Sequence, residues 1–192
     1  MHPQPFISFY TPTYRRPQQL AACMASVANQ TYARKIEQVI IPDHVGLGIA
    51  GMYEQVPLYK EAMHGRYVHF LADDDILPTP LVVERLHSWV ERWKDEHAAD
   101  LDPEVIIVSS EKNGQRWPHQ WSGEPVCGAI DLGCFVVRTD IWKKHANDYG
   151  KRYEGDYDFI KTLWNAGYRF CFFCELVLVR GAVSRGAPEW TP

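Results

Sequence analysis

Three consecutive carboxylates, Asp73-Asp74-Asp75, follow an apolar run, Tyr67-Val68-His69-Phe70-Leu71-Ala72, and are closed off by Ile76-Leu77-Pro78. Adjacent carboxylates repel one another and lose hydration when enclosed, so they need a cation or hydrogen-bond donors. A hard divalent metal that also carries substrate phosphates is one solution, and a solvated acidic turn is the plain alternative. Further acids stand at Asp43, behind Pro42, and in the run Glu154-Gly155-Asp156-Tyr157-Asp158. Asp43 suits the capping of a turn. Asp156 suits either a general base toward a hydroxyl or the first turn of a helix, facing the positive end of its dipole. Trp117, His119 and Trp121 offer rings for stacking on sugars or bases, or for ordinary packing.

The elements that must position these groups follow from periodicity. Apolar, β-branched and aromatic runs predict strands over 6–10, 39–41, 67–71, 105–108, 134–137 and 170–179. Leu20, Met24 and Val27 recur at helical spacing behind Pro17, predicting a helix over 17–30. A second helix is expected over about 52–64. A third runs from Thr79 as N-cap, with Pro80 at N1, to about residue 95. Asp140 is expected to cap a short helix. Phe159, Ile160, Leu163 and Trp164 mark the inner face of a helix over 156–166, ended by Gly167. Residues 111–128 read as a loop. The alternation of strand and helix predicts an α/β chain with a mainly parallel central sheet flanked by helices, a Rossmann-like three-layer sandwich. The triple acid then falls at a strand's carboxyl end, where open α/β sheets bind ligands.

Gly46-Leu47-Gly48-Ile49-Ala50-Gly51 is a literal G-x-G-x-x-G between a strand and a helix, with Asp73 22 residues beyond Gly51. That spacing makes an NAD(P)-binding oxidoreductase a rival reading. Against it, Pro42-Asp43-His44-Val45 separates the strand from the first glycine, and the motif follows the second strand, leaving the first strand and helix unexplained.

The chain of 192 residues has the size of one domain, and its formal charge of -4 gives nucleic-acid binding no general support. No run of 18 apolar residues occurs, and Met1-His2-Pro3-Gln4-Pro5 lacks the charged and apolar regions of a signal peptide, so a soluble, cytoplasmic protein is expected. Cys171 and Cys174 are three apart in a strand-like run and so face opposite ways, which argues against a bridge or a zinc site and for reduced thiols.

Three segments resemble family 2 glycosyltransferases of GT-A fold. Phe6–Tyr14 with Arg15-Arg16-Pro17, Leu20 and Ser26-Val27-Ala28-Asn29-Gln30-Thr31-Tyr32 is similar to the family's opening strand, P-T-Y-type turn and S-V-x-x-Q-T-Y helix end. Tyr67–Leu77 is similar to its D-x-D strand, and Glu154–Phe159 with Gly167-Tyr168-Arg169 to its E-D-x-D segment and G-Y-R helix end. The match keeps the family's order across most of residues 6–170. It departs in having Ala72 for the first acid of the D-x-D segment, Gly155 for the glutamate, and no histidine in the tail around Val183-Ser184-Arg185-Gly186.

The resemblance implies an inverting transfer of sugar from a nucleoside-diphosphate sugar, with Mn2+ or Mg2+. Thr11, Pro12, Thr13 and Tyr14, with Arg15 or Arg16, would meet the nucleoside, and Asp43 would read the base edge. Asp73 would contact the ribose or diphosphate, and Asp74 and Asp75 would ligate the metal. Arg180 or Arg185 would neutralise diphosphate. Asp156 would be the general base, with Glu154 and Asp158 as understudies, and Trp117, His119 and Trp121 would meet the acceptor. One domain over 1–192 is expected: a nucleotide-sugar half to about 78, an acceptor half over about 79–180 and an irregular tail over 181–192. A glycan, a lipid-linked glycan or hydroxymethylated DNA, as in phage DNA modification, would accept the sugar. A non-catalytic nucleotide-binding domain of the same fold is the third possibility.

Overall fold

The computed structural model describes residues 4–97, 102–118 and 123–181. In chain order the elements are β1 (Ile7–Thr13), α1 (Pro17–Ala28), β2 (Ile36–Pro42), α2 (Gly48–Tyr59), β3 (Tyr67–Phe70), α3 (Val82–Glu96), β4 (Val105–Lys112), β5 (Gln115–Trp117), β6 (Phe135–Arg138), α4 (Thr139–Lys144), α5 (Gly155–Asn165) and β7 (Phe170–Val179). All seven strands join one sheet in the order β2-β1-β3-β6-β4, with β7 and β5 also on β4. β1, β2, β3, β4 and β7 run one way. β6 lies antiparallel between β3 and β4, and β5 returns antiparallel along the end of β4.

The strands alternate their side chains between two apolar layers, as the period of two requires. Phe9, Tyr67 and Leu71 pack on one face with Cys23 and Val27 of α1 and Leu86 and Val90 of α3. Tyr10, Val68 and Phe70 pack on the other with Tyr53 and Val56 of α2, Trp142 of α4 and Phe159 of α5. The result is the expected three-layer α/β sandwich with strands from both halves of the chain in one sheet. His69 is enclosed in the first layer, where Nδ1 lies 2.9 Å from the Phe135 carbonyl and Nε2 has no partner. Burial pushes its pKa down to about 4, more than the Phe135 hydrogen bond raises it. Among the described residues no helix is long and apolar enough to cross a membrane.

Four local expectations need correction. α2 starts at Gly48 rather than near 52. α3 starts at Val82, not behind a Thr79 cap. Gln30 supplies that cap from elsewhere: its Oε1 accepts the Val83 N–H at 3.2 Å and its Nε2 donates to the Thr79 carbonyl at 2.7 Å. α4 starts at Thr139, so Asp140 lies in its first turn and is gripped by Arg138 at 2.7 and 2.9 Å instead of capping. The supposed loop 111–128 begins as a hairpin: β4 runs to Lys112 and turns through Asn113-Gly114, both left-handed (φ 53 and 76), into β5. Asn-Gly is the usual signature of such a turn.

Candidate active site

The carboxyl ends of β1, β2, β3, β4 and β7, the segment before β6 and the start of α5 surround one cleft of about 510 Å³. Thr13, the last residue of β1, donates its hydroxyl to Asp73 Oδ2 at 2.8 Å. Arg16 Nη1 donates to Asp73 Oδ1 at 3.1 Å and lies 3.3 Å from Asp74 Oδ2. Burial holds the Asp73 carboxyl above its usual range, although Thr13 and Arg16 pull it down. Asp75 is also buried. Desolvation, followed by the charge of Asp74, pushes it up to about 7 even though its Oδ1 accepts the Gly181 N–H at 2.9 Å. Asp74 is the open member of the three, with 27% of its side chain exposed.

The glycine-rich loop behaves unlike a dinucleotide fingerprint. Its amides converge on Asp43: Val45 and Gly46 N–H donate to Oδ1 at 2.9 and 2.8 Å, and Leu47 N–H to Oδ2 at 2.6 Å. Burial raises the Asp43 carboxyl, but these three donors outweigh it and hold it below its ordinary value. Consecutive amides of this kind form an anion-binding concavity. Here the protein's own carboxylate fills it, so no pyrophosphate can. Asp43 thus shapes the cleft wall as a loop cap.

α5 brings Asp156 to the opposite wall. A Cβ on Gly155 would stand 2.2 Å from the Gly150 carbonyl oxygen and 2.5 Å from Tyr53 Cδ2. Only glycine fits, which accounts for the missing glutamate. Burial lifts the Asp156 carboxyl to about 6; the Tyr157 N–H at 2.8 Å works against this, and the charge of nearby Asp131 adds to it. Glu154 lines the cleft as well. Asp158 does not: it is held in a two-pronged pair by Arg152 at 2.8 and 2.6 Å.

Asp131 is a cleft residue that the sequence reading passed over. Its Oδ1 accepts the Gly133 N–H at 2.8 Å, and its Oδ2 is paired with Arg180. The local signal, an acid ahead of a short turn at Leu132–Cys134, is generic; Arg180 lies 49 residues away in the chain. A hard cation suits the oxygen donors of Asp74 and Asp75. No group of three His, Cys, Asp or Glu gathers to hold an ion among the described residues. Such an ion would take its remaining positions from water and substrate phosphates, as Mg2+-type ions do.

No protein-family model and no curated protein matches the chain by sequence. Solved structures match it by shape. The mannosyltransferase PcManGT from Pyrobaculum calidifontis, in complex with GDP-Man and Mn2+, superposes with a TM-score of 0.67 at 12% identity, over 95% of this chain and 59% of that one. TarS of S. aureus in complex with UDP-GlcNAc gives 0.58 at 18% identity, over 90% and 57%. The inositol-1-phosphate CTP transferase of T. maritima gives 0.51 at 10%, over 94% and 90%. This is the GT-A glycosyltransferase fold. The chain spans less than two thirds of PcManGT and TarS.

Within the GT-A fold, Pro12, Thr13, Tyr14, Asp43, Asp73, Asp74, Asp75, Asp156 and Trp117 share the cleft. Thr11 does not: it is fully buried, and its hydroxyl accepts from Gln38 Nε2 at 3.1 Å. Arg15 is also outside. Its backbone is left-handed (φ 52), its guanidinium lies over the Tyr14 ring at 5.1 Å, and Arg16 takes the place at the acids. His119, Trp121 and Arg185 lie outside the described residues. Cys171 and Cys174 are free thiols, one buried and one exposed.

Proposed function

We propose that the protein is a glycosyltransferase that moves a sugar from a nucleoside-diphosphate sugar to an acceptor hydroxyl, with inversion and with Mn2+ or Mg2+. The observation that carries this reading is one cleft with a semi-open triple acid on one wall and, on the other, a carboxylate lifted to about 6. PcManGT and TarS, which share the fold, are described with GDP-Man and Mn2+ and with UDP-GlcNAc. Pro12, Thr13 and Tyr14 meet the nucleoside, beside a wall shaped by Asp43. Asp73, locked to Thr13 and Arg16, sets that turn against the acids. Asp74 and Asp75 would hold the metal, which when bound would supply neutralisation of charge on the departing diphosphate.

Asp156 takes the acceptor hydroxyl's proton as its oxygen bonds to the anomeric carbon. The bond from that carbon to the phosphate oxygen breaks, and the diphosphate leaves with the electron pair. Residues to about 78 form the donor half and residues 79–180 the acceptor half. Suitable acceptors are a glycan, a lipid-linked glycan or hydroxymethylated DNA.

A thermal-shift panel of UDP-, GDP- and dTDP-sugars and NAD(P), with and without Mn2+, tests the reading. Stabilisation by one nucleotide sugar, enhanced by Mn2+ and accompanied by slow release of free sugar, is expected. Stabilisation by NAD(P) alone would overturn it, and binding without any sugar release would reduce the protein to a nucleotide-binding domain.

A further inference from the structure

The sheet fixes the order in which groups meet the cleft. Across the strands β2, β1, β3, β6 and β4, the cleft-facing ends present Asp43, Thr13, the triple acid after β3 and, at the last position of β4, Lys112. Lys112 therefore stands on the far side of the acids from the turn assigned to the nucleoside. Three strand spacings, about 14 Å, separate β1 from β4, more than a lysine side chain spans. A nucleoside seated on that turn is therefore beyond its reach, and the sugar or the acceptor is what it is left to meet.

The balance of charge singles this lysine out. Seven carboxylates but only three cations line the cleft among the described residues. Arg16 is held by Asp73 and Asp74, and Arg180 by Asp131. Lys112 has no carboxylate partner among the described residues. The hairpin gives it a neighbour: Ser110 faces Trp117 and Lys112 faces Gln115 across the ladder, so Lys112 and Trp117 share one face of the hairpin, and both line the cleft. Arg116 lies on the other face, against a separate hollow. An ammonium beside an indole ring is a pairing that receives a sugar ring with an anionic substituent: the ring covers the apolar face and the ammonium meets the charge. Without that cation, the excess of carboxylates would repel such a substrate.

We infer that Lys112, with Trp117 beside it, selects a substrate bearing a carboxylate or phosphate group, carried either by the acceptor or by the transferred sugar. The inference rests on the transferase reading above. Its test pairs charged and neutral partners. UDP-glucuronate is compared with UDP-glucose as donor. Methyl glucuronide is compared with methyl glucoside, and glycerol-phosphate oligomers with glycerol, as acceptors, for wild type, Lys112→Met and Lys112→Arg. The charged member of at least one pair is expected to have the lower KM. Lys112→Met should raise that KM about tenfold to a hundredfold with kcat little changed, and Lys112→Arg should restore it. A response confined to the donor pair assigns the anion to the sugar, and one confined to an acceptor pair assigns it to the acceptor. Neutral members favoured throughout, or a preference that Lys112→Met leaves intact, overturns the inference while sugar release from the donor keeps the transferase reading. Absence of any sugar release removes both.

Discussion

The two sides of the cleft are built on different terms. On the proposed donor side Thr13, Arg16 and Asp73 satisfy one another within hydrogen-bond distance, and Asp43 is saturated by its own loop. On the proposed acceptor side Asp156 is enclosed and raised, Lys112 is without a carboxylate partner among the described residues, and the wall is assembled from the β4–β5 hairpin, the segment before β6 and the start of α5. The first side is preorganised, so binding there changes little. The second keeps its charges available for a ligand. Fixed groups favour precise seating of a common donor, and uncommitted ones favour discrimination and proton transfer.

The contrast is broken most severely at Asp156. Asp156→Asn should lower the rate of transfer by about 10²- to 10⁴-fold with donor affinity retained, as measured by turnover alongside calorimetric donor binding. If Asp156 is the base, wild-type transfer should also fall as the pH drops through about 6, because the raised carboxyl must be ionised to accept a proton. A flat profile there would return Asp156 to a structural role. Gly155→Ala should come next: its methyl would collide with the Gly150 backbone, so α5 must shift. Destabilisation of about 3 kcal/mol or more by denaturant titration is expected, at the scale of backbone strain combined with overpacking.

His69 tests the rigid core beneath both sides. Its folded pKa of about 4 lies below the ordinary 6.5, so its contribution is present above pH 6.5 and is lost as pH falls toward 4. The loss should amount to about 3 kcal/mol, and His69→Phe should flatten that part of the stability profile. Smallest is Gly114→Ala. A Cβ there meets nothing within 4 Å, but the left-handed backbone (φ 76) disfavours it. About 1 kcal/mol of stability should be lost, with donor binding unmoved.

Legibility in the sequence followed chain distance. The strand ending in the triple acid and the helix carrying Asp156 are local patterns, and both were readable. Asn113-Gly114 was readable too, but polar, aromatic surroundings disguised a hairpin as a loop. The choice of Arg16 over Arg15 depends on a left-handed kink at Arg15, which residue type does not announce. The α3 cap comes from Gln30, 53 residues before the amide it satisfies, and Asp75 meets Gly181 across 106 residues. Asp131 reaches its cleft partners, Arg180 and Asp156, only through the fold. Contacts of that range are set by topology, which a pattern search along the chain does not contain.

The seating of Asp43 among the amides of its own loop has one more consequence. A nest already holding a fixed negative charge acts as a gatekeeper by repulsion: any ligand that presents phosphate to the second strand's end is turned away. The phosphates of the proposed nucleotide are steered instead toward the flank where Arg16 stands beside the triple acid. A single internal carboxylate thereby converts a sequence that spells a phosphate cradle into one that disfavours one orientation of the proposed nucleotide.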